Sequence, residues 1–349
     1  VLEHLDDEDI EESNVSTGRL PEIERIQAIL DQGYQRYRSV TDGQVADYIP
    51  ALARASKDAF GASVTGTKGV VLSVGDAAVP FSIQSVSKPF VFALVCATAG
   101  ERRAAQLLGV NATGLPFNSV MAIELNEDRT MNPMVNAGAI ATTSLIPGGT
   151  ADEKLQVILD GLSAFAGRPL AVNEEVYVSE AETNGRNEGI AHLLSSYGRL
   201  GFDPAEATDV YTHQCAIEVT ATDLAVMGAT LANGGVNPLT GDVVVPPSVC
   251  KRVLAVLSTA GLYERSGEWL FDIGLPGKSG VSGGIVTVAP GKGAIGVYSP
   301  PLDSAGNSVR GQRLTHYLSE SLGLNLFTST PETSTGFRGL RGNLDVELL

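Results

Sequence analysis

Cysteine, histidine and basic residues are scarce in this chain, and each shortage narrows what it can be. The three cysteines, Cys96, Cys215 and Cys250, are far apart, odd in number and in no C-x-x-C pair. That excludes a zinc ribbon and a dithiol redox centre and fits a reducing cytoplasm. The four histidines, His4, His192, His213 and His316, form no H-E-x-x-H and no Cys/His cluster, so neither a metal nor a cofactor is expected. Lys and Arg number 24 against 40 Asp and Glu, a formal net charge of −16. Seven acids and one arginine in residues 1–20 supply −6 of it. Nucleic acid and anionic membranes need basic patches and are excluded as partners. The acidity suits a highly soluble, salt-tolerant protein. No apolar run reaches the ~18 residues that cross a bilayer, and the acidic start lacks the basic n-region of a signal peptide. A cytoplasmic location is expected.

What the chain does have is apolar mass and glycine. With 349 residues, 43% of them hydrophobic, and 39 glycines, it can bury a large core and favours a loop-rich α/β or α+β enzyme over a helical bundle. Residues 1–20 read as a flexible acidic arm. Pro21 opens a segment in which Ile23, Ile26, Ile29 and Leu30 recur at helical spacing. K-G-V-V-L-S-V (68–74) reads as a strand ending at Gly75-Asp76. Residues 85–99 read as a buried helix with Pro89 in its first turn. Alanine- and leucine-rich stretches at 154–165, 189–200 and 221–233 make the region 100–255 mainly helical. Two β-branched runs in 284–299, joined by A-P-G-K-G, predict a hairpin. Residues 312–323 predict a closing helix, and 326–349 a loose tail. The expected fold is α+β: one antiparallel sheet flanked by the first and last helices, with an α/β part over about 48–99 and 256–325.

Chemistry concentrates in S-I-Q-S-V-S-K-P-F (82–90). Ser85 and Lys88 are spaced i, i+3 and share one face of a helix, among residues that are almost all apolar or uncharged. A serine hydroxyl is a poor nucleophile without a base in hydrogen-bond reach. Burial disfavours a charged lysine and lowers its pKa, which makes it a usable base. At a helix N-terminus, Ser85 also gains backbone N–H donors for an oxyanion. The bland reading of S-x-x-K alone is a helix cap followed by a solvated lysine. The strand before it, the buried helix after it and a late Lys278-Ser279-Gly280 outweigh that reading. S-x-x-K with K-[ST]-G is the frame of serine β-lactamases and penicillin-binding proteins. Two rivals fail. Gly280-Val281-Ser282-Gly283-Gly284 matches G-x-S-x-G, with Asp303 and His316 in the right order, but a strand-former follows Ser282 where an elbow needs a helix. A phosphate loop at Gly277-Lys278-Ser279 needs a glycine where Asp272 stands.

The surrounding segments are V-A-D-Y-I-P-A-L-A (45–53), P-F-S-I-Q-S-V-S-K (80–88), M-N-P-M-V-N-A-G-A-I (131–140), S-E-A-E-T-N-G-R-N (179–187), T-D-L-A-V-M-G-A-T-L-A-N-G-G (222–235) and L-P-G-K-S-G-V-S-G-G-I (275–285). In this order they resemble the serine-dependent glutaminases, bacterial and mitochondrial-type, over about residues 25–325. The resemblance implies a β-lactamase/transpeptidase-like fold and hydrolysis of L-glutamine to L-glutamate and ammonia. It implies a glutamyl ester on Ser85, with Lys88 as proton acceptor and Tyr263 (in A-G-L-Y-E-R-S-G) assisting. Glu264 stands where relatives usually have Asp. The resemblance makes Val281 a backbone oxyanion donor and Asn136, Glu180, Asn187 and Tyr211 substrate contacts, with Gln84 behind the nucleophile. It also implies a homodimer or homotetramer.

The residue types suit that substrate independently. One acid, Glu180, can take the α-ammonium of free glutamine by a charge-assisted hydrogen bond, and Asn136, Asn187 and Tyr211 can donate to its α-carboxylate. Two alternatives belong to other classes. A penicillin-recognising hydrolase lacks support in a chain without S-D-N, without an export signal and with Glu180. A silent sensor on the same fold conflicts with intact Ser85, Lys88 and Tyr263. Lys278 reads equally as structural or as charge-supporting.

Overall fold

The computed structural model describes residues 22–129 and 131–328. The expected acidic arm, Pro21 and most of the expected tail lie outside these residues. Seven strands are present among them: β1 (Gly61–Gly66), β2 (Val71–Gly75), β3 (Phe81–Ser82), β4 (Glu218–Val219), β5 (Gly277–Ser279), β6 (Gly284–Ala289) and β7 (Gly293–Tyr298). Five form one antiparallel sheet in the order β2-β1-β7-β6-β5. The hairpin expected in 284–299 is β6–β7, with Ala289 opposite Gly293. The strand expected at 68–74 begins only at Val71. Gly69 adopts φ +82 and its N–H closes a turn onto the Gly66 carbonyl, so Lys68 and Gly69 are spent on the bend.

Period-two alternation decides what covers each face. Ile285, Ile295, Val297 and Ala62 point to one core, shared with Ile26, Ile29 and Leu30 of the helix Ile23–Tyr37 and with Leu314 and Leu318 of the closing helix Val309–Ser321. Val286, Val288 and Ala294 point to the other core and meet the helix Ala221–Ala232. That helix lies very close to the sheet. A Cβ on Gly296 would sit 2.1 Å from the Ala221 carbonyl oxygen, so only glycine fits there. The sheet flanked by first and last helices is therefore as the sequence predicts.

Between β3 and β5 the chain is mainly helical. The helix Lys88–Ala99 is apolar on nearly every side and runs through the middle of this part, as a helix without a polar face must. Several helices of this part start at side-chain caps, among them Thr150, Asn173, Asp203 and a Thr220/Asp223 capping box. The two-stranded ladder β3–β4 ties the segment before Ser85 to the end of the helix Pro204–Cys215. The cleft between this helical part and the β5 end of the sheet receives the residues singled out above.

Candidate active site

The segment that carries Ser85 is bent by its hydrogen bonds. The Ile83 N–H binds the Ile217 carbonyl at 2.8 Å, which extends the β3–β4 register by one residue. Gln84 then takes φ +50, left-handed and unusual for a residue with a side chain. A 3-10 turn, Gln84–Ser87, leads into the helix Lys88–Ala99, with Pro89 in its first turn. Ser85 thus stands in the turn just before the α-helix, three residues ahead of its first residue. Pro89 fits this turn: it has no N–H to give the Ser85 carbonyl, which takes the Lys88 N–H instead.

Ser85 is 8% exposed and Lys88 is 1% exposed. The Lys88 amine donates to Asn136 Oδ1 at 2.8 Å and lies 5.9 Å from the centre of the Tyr211 ring. Desolvation pulls its pKa from the ordinary 10.5 down to about 8, against the raising influence of Cys215 and Glu180. Glu180, on the helix Glu174–Ala181, is also buried. Desolvation lifts its carboxyl from 4.5 to about 7, opposed by a 3.0 Å bond from Gln84 Nε2 and by the Lys88 charge. Two groups of opposite charge type are thus both drawn toward neutral pH, a feature typical of reaction sites.

Amides form the far wall. Asn136 opens the helix Asn136–Ser144, and its Nδ2 donates to Asn187 Oδ1 at 3.0 Å. Asn187 Nδ2 donates to Asn184 Oδ1 at 2.7 Å, and Asn184 Nδ2 to Thr212 Oγ1 at 2.6 Å. Tyr211 donates to Asn136 Oδ1 at 3.4 Å. Asn136 is therefore occupied on both sides, by Lys88 and by Asn187. Asn184 carries no separate sequence signal, yet it anchors the row.

The sheet supplies the opposite wall. Lys278 and Ser279 lie in β5, where Gly277, Lys278 and Ser279 pair with Thr287, Val286 and Ile285. Gly280 packs against the Gln84–Ser87 turn: a Cβ there would meet the Ile83 carbonyl oxygen and Val86 at 3.1 Å. That contact brings the buried Val281 beside the Gln84–Ser87 turn. Tyr263 is buried with φ +55, packs its ring tilted at 41° against Phe117 and donates to the Ser279 carbonyl at 3.2 Å. Burial raises its pKa, and a hydrogen bond from the Ser85 hydroxyl acts in the other direction. Lys278 is fully buried. Its amine donates to the same Ser279 carbonyl at 2.7 Å and sits 4.4 Å from the Tyr263 ring centre. Burial, then repulsion by Lys88, holds it well below an ordinary lysine pKa. Its contacts thus attach Lys278 to the Tyr263 side of the site.

All nine residues singled out from the sequence line this one cleft, and one further residue joins them. Tyr48 stands beside Tyr263 and Glu180. It is 54% exposed and lines, with Phe117 and Val281, a cavity of about 800 Å³ at the mouth. Its loop has no periodicity to mark it; the only signal is its place in V-A-D-Y-I-P. The rival serine is elsewhere. Ser282 is buried without a partner for its hydroxyl. Asp303 is engaged by Ala305, Asn307 and Gln312, and His316 faces Asp272. Among the described residues no helix is long and apolar enough to cross a membrane, and no His/Cys/Asp/Glu group could hold a metal.

Known proteins resemble this chain in sequence and fold. Glutaminase 2 of Yersinia pestis is 58% identical over 319 residues, 91% of this chain and 94% of that one. A solved structure of a probable glutaminase superposes with a TM-score of 0.87 at 44% identity, over 88% of this chain and 100% of that chain. A probable glutaminase from Bacillus subtilis, complexed with 6-diazo-5-oxo-L-norleucine, superposes with a TM-score of 0.77 at 31% identity, over 88% and 99% of the two chains. Residues 43–327, nearly all of the described chain, match the profile of one family, and by that match and these likenesses the chain belongs to the glutaminases.

Proposed function

We propose that this chain hydrolyses free L-glutamine to L-glutamate and ammonia through a glutamyl ester on Ser85. The observation that carries the reading is the joint burial of Ser85, Lys88 and Glu180, with both ionisable groups shifted toward neutral pH. Glu180 receives the α-ammonium, and Asn136, Asn187, Tyr211 and Tyr48 take the α-carboxylate end. Asn136 donates there with the Nδ2 hydrogen that Asn187 does not take. The Ser85 oxygen attacks the side-chain carbonyl carbon. Its proton passes to neutral Lys88, while Tyr263 holds the hydroxyl in place. The Val281 N–H, together with that of Ser85, stabilises the oxyanion. Collapse breaks the C–N bond, and protonated Lys88 returns the proton to the departing ammonia. A water, deprotonated by the same amine, then attacks the ester; Lys88 passes that proton to the Ser85 oxygen as the ester C–O bond breaks and glutamate leaves.

Glutamine's shape supports the assignment: its two charged groups match one buried acid and a row of neutral donors. The Bacillus subtilis relative was solved with 6-diazo-5-oxo-L-norleucine, a reagent of similar shape. The test is glutamate release from L-glutamine by the purified protein beside Ser85→Ala. Turnover in the wild type and none in the variant is expected. Turnover that survives Ser85→Ala overturns the mechanism, and a folded wild type without turnover overturns the substrate.

A further inference from the structure

We propose that Ser87, Gln214 and Thr143 form a positioning relay for the nucleophile, holding the Gln84–Ser85 turn in its strained shape. This rests on the reading of Ser85 as the nucleophile. A left-handed backbone at a residue with a side chain persists only where its surroundings over-determine it. Gln84 is such a residue, so something must hold it. Its side chain is held by Glu180. Its carbonyl is held from behind. Ser87 Oγ donates to the Gln84 carbonyl oxygen at 2.7 Å, Gln214 Nε2 donates to Ser87 Oγ at 2.9 Å, and Thr143 Oγ1 donates to Gln214 Oε1 at 2.9 Å.

All the donors point one way, so each bond polarises the next, and all four residues are buried. The relay also links three site-bearing elements. Gln214 lies one turn beyond Tyr211 on the helix Pro204–Cys215. Thr143 is on the helix that Asn136 opens. Ser87 sits between Ser85 and Lys88 in the chain. None of the three side chains is among those assigned to the substrate, so a defect in the relay should change how Ser85 is presented, not how glutamine is held.

The experiment is steady-state kinetics with L-glutamine on Ser87→Ala, Gln214→Leu and the double variant, alongside thermal midpoints. Each single variant is expected to lower kcat about 10- to 100-fold, as misplacement of a reacting atom by a fraction of an ångström does. KM should stay within about threefold. The double variant should be no worse than the poorer single within about threefold, because either change breaks the same chain. Thr143→Val should lose activity in the same way, and Thr143→Ser, which keeps the hydroxyl, should restore it. Losses that multiply in the double variant overturn the relay, as does a raised KM with kcat intact. Should Gln214→Leu fail to fold, Ser87→Ala and the Thr143 pair decide. Wild-type protein without glutamine turnover would overturn the assigned reaction; wild-type turnover with unchanged Ser87→Ala kinetics would overturn the relay alone.

Discussion

Glu180→Gln should make the protein more stable and worse at its reaction, and both effects can be worked out from the site. Burial raises the Glu180 carboxyl from 4.5 to about 7. In the unfolded chain the group ionises above 4.5, whereas in the folded chain it keeps its proton until about 7. Between those values the native state binds more protons, so stability falls as pH rises, and the full cost is present above pH 7. At about 1.4 kcal/mol per pKa unit, that cost is roughly 3 kcal/mol. Glutamine has the shape of glutamate and still offers Gln84 an acceptor oxygen, so the variant sheds the cost without a cavity. Differential scanning calorimetry at pH 8 should show a midpoint about 2–6 °C above wild type. The difference should shrink to about a quarter of that at pH 5 and vanish near pH 3.5, below the unfolded value, where the carboxyl is protonated in both states. KM for L-glutamine should rise about 30- to 150-fold with the loss of a buried charge-assisted bond of about 2–3 kcal/mol. An equal midpoint difference at pH 8 and pH 5 would refute the burial argument, and an unchanged KM would refute the ammonium contact.

Two predictions concern other parts of the molecule. The neutral form of Lys88 gains population as pH rises through about 8, so kcat/KM should climb with pH up to that point, and more steeply below about 7, where Glu180 also takes up a proton; a plateau already reached at pH 6 would remove Lys88 as the base. Gly296→Ala would put a methyl 2.1 Å from the Ala221 carbonyl oxygen and should cost about 3 kcal/mol or more through forced separation of helix and sheet; an unshifted denaturant midpoint would show that the approach of the helix Ala221–Ala232 is looser than described.

How much of this was legible in the sequence depends on the range of each interaction. The β6–β7 hairpin and the amphipathic helix Ile23–Tyr37 are written in local periodicity, and their boundaries differ from expectation by only a few residues. Ser85 and Lys88 are likewise a local signal, three residues apart. Gln84, Asn136, Glu180, Asn187, Tyr211 and Val281 carry no such signal. Each comes from a different element, and any one read alone is an ordinary cap, surface acid or core side chain. Only resemblance along the chain gathers them. Tyr48 shows the limit of that route, since it sits inside a matching segment without a pattern that marks it. The backbone is least legible of all. Left-handed geometry is a property of glycine in sequence terms, yet the two residues whose hydroxyl or backbone adjoins the Ser85 hydroxyl, Tyr263 and Gln84, adopt φ +55 and +50. Their side chains are needed where glycine would have been easier for the chain. The strain is held instead by side-chain bonds: Ser87 behind Gln84, Gln214 behind Ser87, and the Ser279 carbonyl at the Tyr263 hydroxyl. Gln214 and Ser279 lie well away in the chain from the residues they hold, and a reading that moves along the sequence sees each only as a buried polar residue.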